Sequence, residues 1–206
     1  METESQERAP SSAGIVVGGV VVTASAAVGA LGGWLWYQWW GPPNKGSIYE
    51  TLDGRILWLD PTDKGIAHQF NGPAQYAIIG IGLGLVLGVL AALLGRRQAL
   101  VALGSLIVGS ALAAFLAWGV GNVLSPPDPQ QYAKKSAVCT EAPCKEYDAA
   151  IEVSGWTPFL CWPLGALAGF SLTVVVAEWI GSFRGSQAAQ RDAGTWLAAP
   201  GARQEP

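Results

Sequence analysis

The sequence predicts an all-α membrane protein, four transmembrane helices carrying a small extracytoplasmic β-hairpin. Three observations predict it. Half of the 206 residues are apolar and only 13% are charged, against roughly 25% charged in a typical soluble domain. The charges are segregated: no Asp, Glu, Lys, Arg or His falls between Arg8 and Lys45, His68 and Arg96, Arg97 and Asp128, or Glu152 and Glu178. Each neutral gap is long enough to cross roughly 30 Å of hydrocarbon at ~1.5 Å per residue.

Taken in order, the spans fall at about 14–37, 74–94, 100–123 and 156–177, within a transmembrane domain of residues 13–183. The polar tails, 1–12 and 184–206, are expected to be disordered because they cannot bury enough apolar surface to order themselves. Helices are expected because a spanning segment must satisfy its own backbone groups. Barrel strands would alternate in polarity, and "AIIGIGLGLVLGVLAALL" does not. The first span could be read as a cleaved secretory signal from "ASA" at 24–26. Against that, Glu2, Glu4 and Glu7 outnumber Arg8 ahead of it and apolar character runs well past Ala26, the wrong pattern for a signal.

Arg8, Arg96, Arg97, Arg184, Arg191 and Arg203 are concentrated in the tails and one short turn, whereas Lys45, Arg55, Lys64, Lys134, Lys135 and Lys145 are spread over two long loops. Dense basic charge abutting the hydrocarbon marks the cytoplasmic side. Both termini are therefore expected in the cytoplasm of a multi-pass plasma-membrane protein, with loops 38–73 and 124–155 facing outward.

In the first loop, "SIYETLDGRILWLD" sets Asp53–Gly54 between two β-prone runs, a strong short-range hairpin signal. The expected strands are Ser47–Leu52 and Arg55–Leu59. A lone hairpin is marginal in water, so it should rest on the second loop, the membrane surface or a partner. Only "GRRQA" links the second and third spans, which must lie antiparallel as neighbours. "LSPPDP" at 124–129 then stops the third helix.

Cys139 and Cys144, in "VCTEAPCKEY", lie in the second outward loop, where oxidation is permitted. A disulfide there would contribute roughly 2 kcal/mol on a chain-entropy estimate. The alternative is a pair of free thiols, since no further Cys or His stands near to complete a metal site. Cys161, within the fourth span, reads as a small apolar residue.

Small residues recur at four-residue spacing: Gly14 and Gly18, Gly29 and Gly33, Gly80, Gly84 and Gly88, Ser105 and Gly109, Gly165 and Gly169. Such faces let helix backbones approach closely in lipid. They serve packing within the bundle or, for Gly80, Gly84 and Gly88, a homodimer.

Aromatic residues crowd "GGWLWYQWWGPP". Trp34, Trp36, Tyr37, Trp39 and Trp40 lie at the expected outer end of the first span, and Tyr76, Trp118, Trp156 and Trp162 gather near the same level on the others. This is the pattern of an interfacial belt. The five in the first span point around most of the helix, so some must face the bundle.

Chemistry is sparse. Glu178, in "VVVAEWIGSF", is the one carboxylate inside an apolar stretch. Its position near Arg184 places it at the cytoplasmic interface, or in a proton or cation path. His68 is the only histidine and reads as an outer-loop residue, so the usual haem and zinc anchors are missing. Asp60 and Asp63 lack calcium-loop spacing. "GxxxxGK[ST]", "GxSxG" and "HExxH" are all absent. No basic stripe offers a nucleic-acid footprint. No enzyme, no cofactor and no metal are expected.

The aromatic exit "LWYQWWGPP", the acidic "LDGRILWLD", the turn "GRR" and "WPLGAL" entering the last span together carry a family resemblance. Over roughly residues 15–180 the chain resembles a family of actinobacterial four-span integral membrane proteins classed as a domain of unknown function. What that resemblance implies is a plasma-membrane location, and it carries over no active site. The expected role is an accessory or scaffold subunit working with the bilayer and a membrane or envelope partner. The alternative is a small transporter or channel component, alone or as an oligomer, using Glu178 and the glycine faces.

Overall fold

The computed structural model describes residues 12–60 and 62–197, with the side chains of 63–69 and 182–197 outside the description. Four long helices form the body: α1 (Ser12–Trp40), α2 (Asp63–Leu94), α3 (Ala99–Leu124) and α4 (Thr157–Leu197). Three short strands cap one end: β1 (Lys45–Glu50), β2 (Ile56–Leu59) and β3 (Tyr147–Asp148). Every helix contains a stretch long and apolar enough to cross a membrane, namely Ser12–Trp40, Phe70–Leu94, Ala99–Leu124 and Thr157–Gly181. The shortest is 25 residues, about 37 Å at ~1.5 Å per residue, more than the ~30 Å hydrocarbon core.

Residue size, rather than polarity, separates the inner and outer faces. On α3 the buried residues are Ala102, Leu106, Gly109, Ser110, Ala113, Ala114, Ala117 and Gly121, nearly all small. Leu100, Ile107, Val108 and Phe115 on the same helix are exposed. The outside of the bundle is thus a continuous wall of large apolar side chains, far more than a water-soluble surface presents, and lipid is the solvent that suits it.

The glycine faces are spent inside the chain. A Cβ added at Gly84 would lie 2.5 Å from the Trp162 carbonyl oxygen, and one at Gly88 would overlap the Ala166 backbone. In return, Gly165 and Gly169 receive the backbones of Ile81 and Leu85. On the other side of the bundle, Gly29 and Gly33 meet Ala113 and Ala117, while Gly109 meets Ser25. The principal pairs are therefore α2 with α4 and α1 with α3. This qualifies the expectation drawn from "GRRQA": α2 and α3 do turn back on each other, but their mutual contact is slight. The turn fixes only which ends meet, whereas small-residue faces fix which helices touch. Gly80, Gly84 and Gly88 thus face α4 of their own chain, the packing within the bundle that was one of the two readings of these glycines.

The hairpin forms with a wider turn than expected. β1 pairs antiparallel with β2 from Ser47↔Leu59 to Glu50↔Ile56, leaving residues 51–55 as the loop. Thr51 closes it by donating its N–H to the Arg55 carbonyl at 2.8 Å and its hydroxyl to the same oxygen at 2.9 Å. Gly54 takes φ +74°, a conformation that glycine adopts at no steric cost. Arg55 pairs with Asp53 at 2.6 Å and holds that carboxyl below its ordinary value of 3.8. The second loop supplies the support that the hairpin needed: β3 pairs with β1 through Lys45↔Asp148 and Gly46↔Tyr147, giving the order β2-β1-β3.

Two boundaries differ from expectation. The α2 helix begins at Asp63, before its membrane stretch, so His68 lies in a helix rather than a loop. The α4 backbone is helical to Leu197, so the expected tail of 184–206 is helical over 184–197. Residues 1–11 and 198–206, the remainder of the two expected tails, lie outside the described residues.

Candidate functional site: the sheet end of the bundle

The aromatic residues singled out from the sequence divide into two sets. Trp36, Tyr76 and Trp162 are completely buried, and Trp40 nearly so. They plug the bundle beneath the sheet, which corrects their assignment to a lipid-facing belt. Trp34, Trp39, Trp118 and Trp156 are exposed and Tyr37 is half-buried, positions compatible with a belt.

Tyr76 is the hub of the plug. Its ring meets Trp36 at 5.0 Å edge-on, Phe159 at 5.4 Å and Trp162 at 6.0 Å, and each such pair adds about 0.5–1.5 kcal/mol beyond burial. Its hydroxyl donates to the Ala114 carbonyl at 2.5 Å, and the Trp36 indole N–H donates to the Gly72 carbonyl at 2.9 Å. The plug therefore ties α1, α2, α3 and α4 together at one level. Sequence reasoning assigned these rings by depth alone, and depth does not distinguish inward from outward.

Above the plug lies a cleft of about 380 Å³ between the two loops, lined by Trp40, Asn44, Trp58, Asp128, Gln130 and Glu152 among others. Local hydrogen bonds hold its walls. Asp128 Oδ1 accepts the Gln130 N–H at 2.8 Å, capping a short 3₁₀ turn at 129–132. Gln130 Nε2 donates to the Trp58 carbonyl at 3.3 Å, and the Trp58 indole N–H donates to the Tyr147 carbonyl at 3.2 Å. The Ala149 N–H donates to the Asn44 carbonyl at 2.7 Å. These residues lie up to about a hundred positions apart in the chain and share no motif, so no signal in the sequence could have assembled them.

The same region holds the expected disulfide. Cys139 and Cys144 are joined, with Cα atoms 5.4 Å apart, and the Cys139 N–H donates to the Ile48 carbonyl at 2.8 Å. The bridge thus staples the second loop beside β1. Cys161 is free and half-buried.

Glu178 stands apart from all this. It is exposed on α4, near the opposite end of the spanning stretch Thr157–Gly181. Among the described residues no cluster of three or more His, Cys, Asp or Glu is arranged to hold a metal. No family model, curated protein or solved structure matches this chain.

Proposed function

We propose that this is a non-enzymatic accessory subunit of a plasma-membrane or envelope complex, with both termini cytoplasmic and the sheet-and-loop cap presented outside to a protein partner. One observation carries the reading: the bundle interior is packed shut. Glycine-to-backbone contacts close both principal helix pairs and the Trp36–Tyr76–Trp162 plug seals the sheet end. A transporter would need a polar path there. The buried polar residues among the spans are Ser25 and Ser110, and their hydroxyls bond back to Val21 and Ile107 of their own helices. Glu178 lies on the bundle's surface, where it cannot line an internal pathway.

The disulfide supports the outward placement of the cap, since such bonds persist in oxidising compartments. With a membrane-impermeant maleimide on intact cells, Cys139 and Cys144 should react only after reduction. Equal labelling without reductant would show that the bridge does not form, and no labelling even after reduction would overturn the outward placement. Replacing both with serine should cost on the order of 2 kcal/mol, read as a lower melting temperature in detergent.

Leu52, at the hairpin tip, is fully exposed. Tagged protein purified from native membranes in mild detergent should carry one stoichiometric partner, released by Leu52→Glu. In liposomes the protein alone should conduct no ions, and Glu178→Gln should change neither result. Ion flux without a partner, abolished by Glu178→Gln, would establish the transporter reading instead.

A further inference from the structure

We propose that the Cys139–Cys144 bridge is a redox-sensitive latch, which in its oxidised form pins the second loop to the outer edge of β1 and on reduction lets it go. This goes beyond a permanent staple, because it assigns an open form as well as the closed one. The edge of β1 that faces away from β2 is covered by two separate pieces of chain. β3 takes Lys45 and Gly46, and the Cys139 N–H reaches the Ile48 carbonyl at 2.8 Å.

Without the bridge, little holds the second piece. Among the described residues, Cys139 to Ile48 is the one backbone hydrogen bond from residues 133–146 to a part of the chain distant in sequence. The Lys45–Glu146 ion pair, at 3.6 Å, is well exposed on both sides and contributes little. The chain on either side is anchored independently. Gln130 donates to the Trp58 carbonyl, and just past β3 the Ala149 N–H donates to the Asn44 carbonyl. The bridge passes the anchorage of β3 on to Cys139, because Cys144 lies much nearer to Tyr147 along the chain than Cys139 does. Cutting it turns a short tether into a long flexible one, and the local concentration of the Cys139 N–H at Ile48 falls. Ile48 itself is fully buried, so β1 stays in place and its edge is left open.

The bridge is also placed to be cut. Thr140, Glu141, Ala142, Pro143 and Lys145 around it are all exposed, so a thiolate can approach, and exposed disulfides are the more readily reduced ones. A reductant of the dithiol oxidoreductase class balances the step. One of its thiolates attacks a bridge sulfur, the S–S bond breaks, a mixed disulfide forms and the departing cysteine takes up a proton. Its second thiol then displaces the other cysteine, which takes the proton that this thiol loses. Two electrons have passed to the bridge, and the reductant ends as a disulfide. A bared strand edge is a surface to which an extended segment of a partner adds. That use of the latch rests on the accessory reading, whereas the latch itself needs no partner.

The experiment compares hydrogen exchange of the full-length protein in detergent, oxidised and after treatment with a thioredoxin-class dithiol oxidoreductase, with mass spectrometry counting free thiols. The bridge is expected to be reduced while the protein stays folded. Peptides within residues 133–146 should then exchange faster by roughly tenfold to 40-fold, the upper figure being the fold-change that corresponds to closing a loop of this size. Peptides from α1 and α3 should stay protected in both states. Reoxidation should restore the slow exchange, and Cys139→Ser combined with Cys144→Ser should exchange fast with or without reductant. The latch is overturned if the bridge resists reduction until the helices lose protection, if residues 133–146 exchange alike in the two states, or if exchange stays fast after reoxidation. Because no partner is present, none of these results bears on the accessory role.

Discussion

Gly84→Leu is expected to lower the melting temperature in detergent by roughly 6–12 °C, equivalent to about 3 kcal/mol of overpacking, while Gly82→Leu leaves it within about 0.5 kcal/mol. The two positions are two residues apart on α2, roughly 200° around the helix at ~3.6 residues per turn, and equally apolar in setting, yet they differ in what a side chain would meet. At Gly84 even the first added carbon lies 2.5 Å from the Trp162 carbonyl oxygen and 2.9 Å from the Ala166 nitrogen. These are backbone atoms and cannot swing aside, so α2 and α4 must separate along their length. At Gly82 nothing lies within 4 Å of the added carbon, because that face points away from the bundle. Circular dichroism melts of the two variants beside the unmodified protein check this. Equal melting of the pair would mean that α2 and α4 are not packed through this face. A change in oligomer size for Gly84→Leu, with the fold intact, would support the dimer reading.

The second large effect lies at the sheet end. Trp36→Leu should cost about 3 kcal/mol, at the lower bound for emptying a buried aromatic site, whereas Trp39→Leu should cost less than ~1 kcal/mol. Trp36 is fully buried, holds the Gly72 carbonyl and packs edge-on against Tyr76. Its loss leaves a hole and removes a hydrogen bond between α1 and α2 at the level where all four helices are joined. Trp39 is 52% exposed and gives up little that lipid or detergent cannot replace. Urea or thermal denaturation in the same detergent would separate them, and similar losses would show that the plug is not a structural unit. Both variants should still insert, because hydropathy rather than packing drives insertion.

Much of the fold was legible from residues alone. The four neutral gaps gave span limits within a few residues of the structure, except where α2 and α4 continue as helices past the apolar stretch. Asp53–Gly54 marked the hairpin, though a five-residue turn replaced the expected tight one. The loop cysteines paired as anticipated. The shortfall lies in long-range matters. β3 is only two residues long, too short to show alternation, and it exists because β1 offers it an edge. The cleft needed Asn44 and Trp58 from one loop and Asp128, Gln130 and Glu152 from the other, brought together by that same edge pairing.

By itself the sequence determined that the chain belongs in a bilayer, where it crosses, where its polar loops lie and which thiols are close enough to bond. Each of these follows from local chemistry, set by the hydrocarbon thickness or by the preferences of neighbouring residues. Only the tertiary structure decided which helices pair, which tryptophans turn inward and what the loops enclose. The physical reason is that lipid and protein interior are equally apolar, so a spanning helix carries no polar face to point the way in. Shape must do so instead, and whether one surface fits another is a property of two segments together.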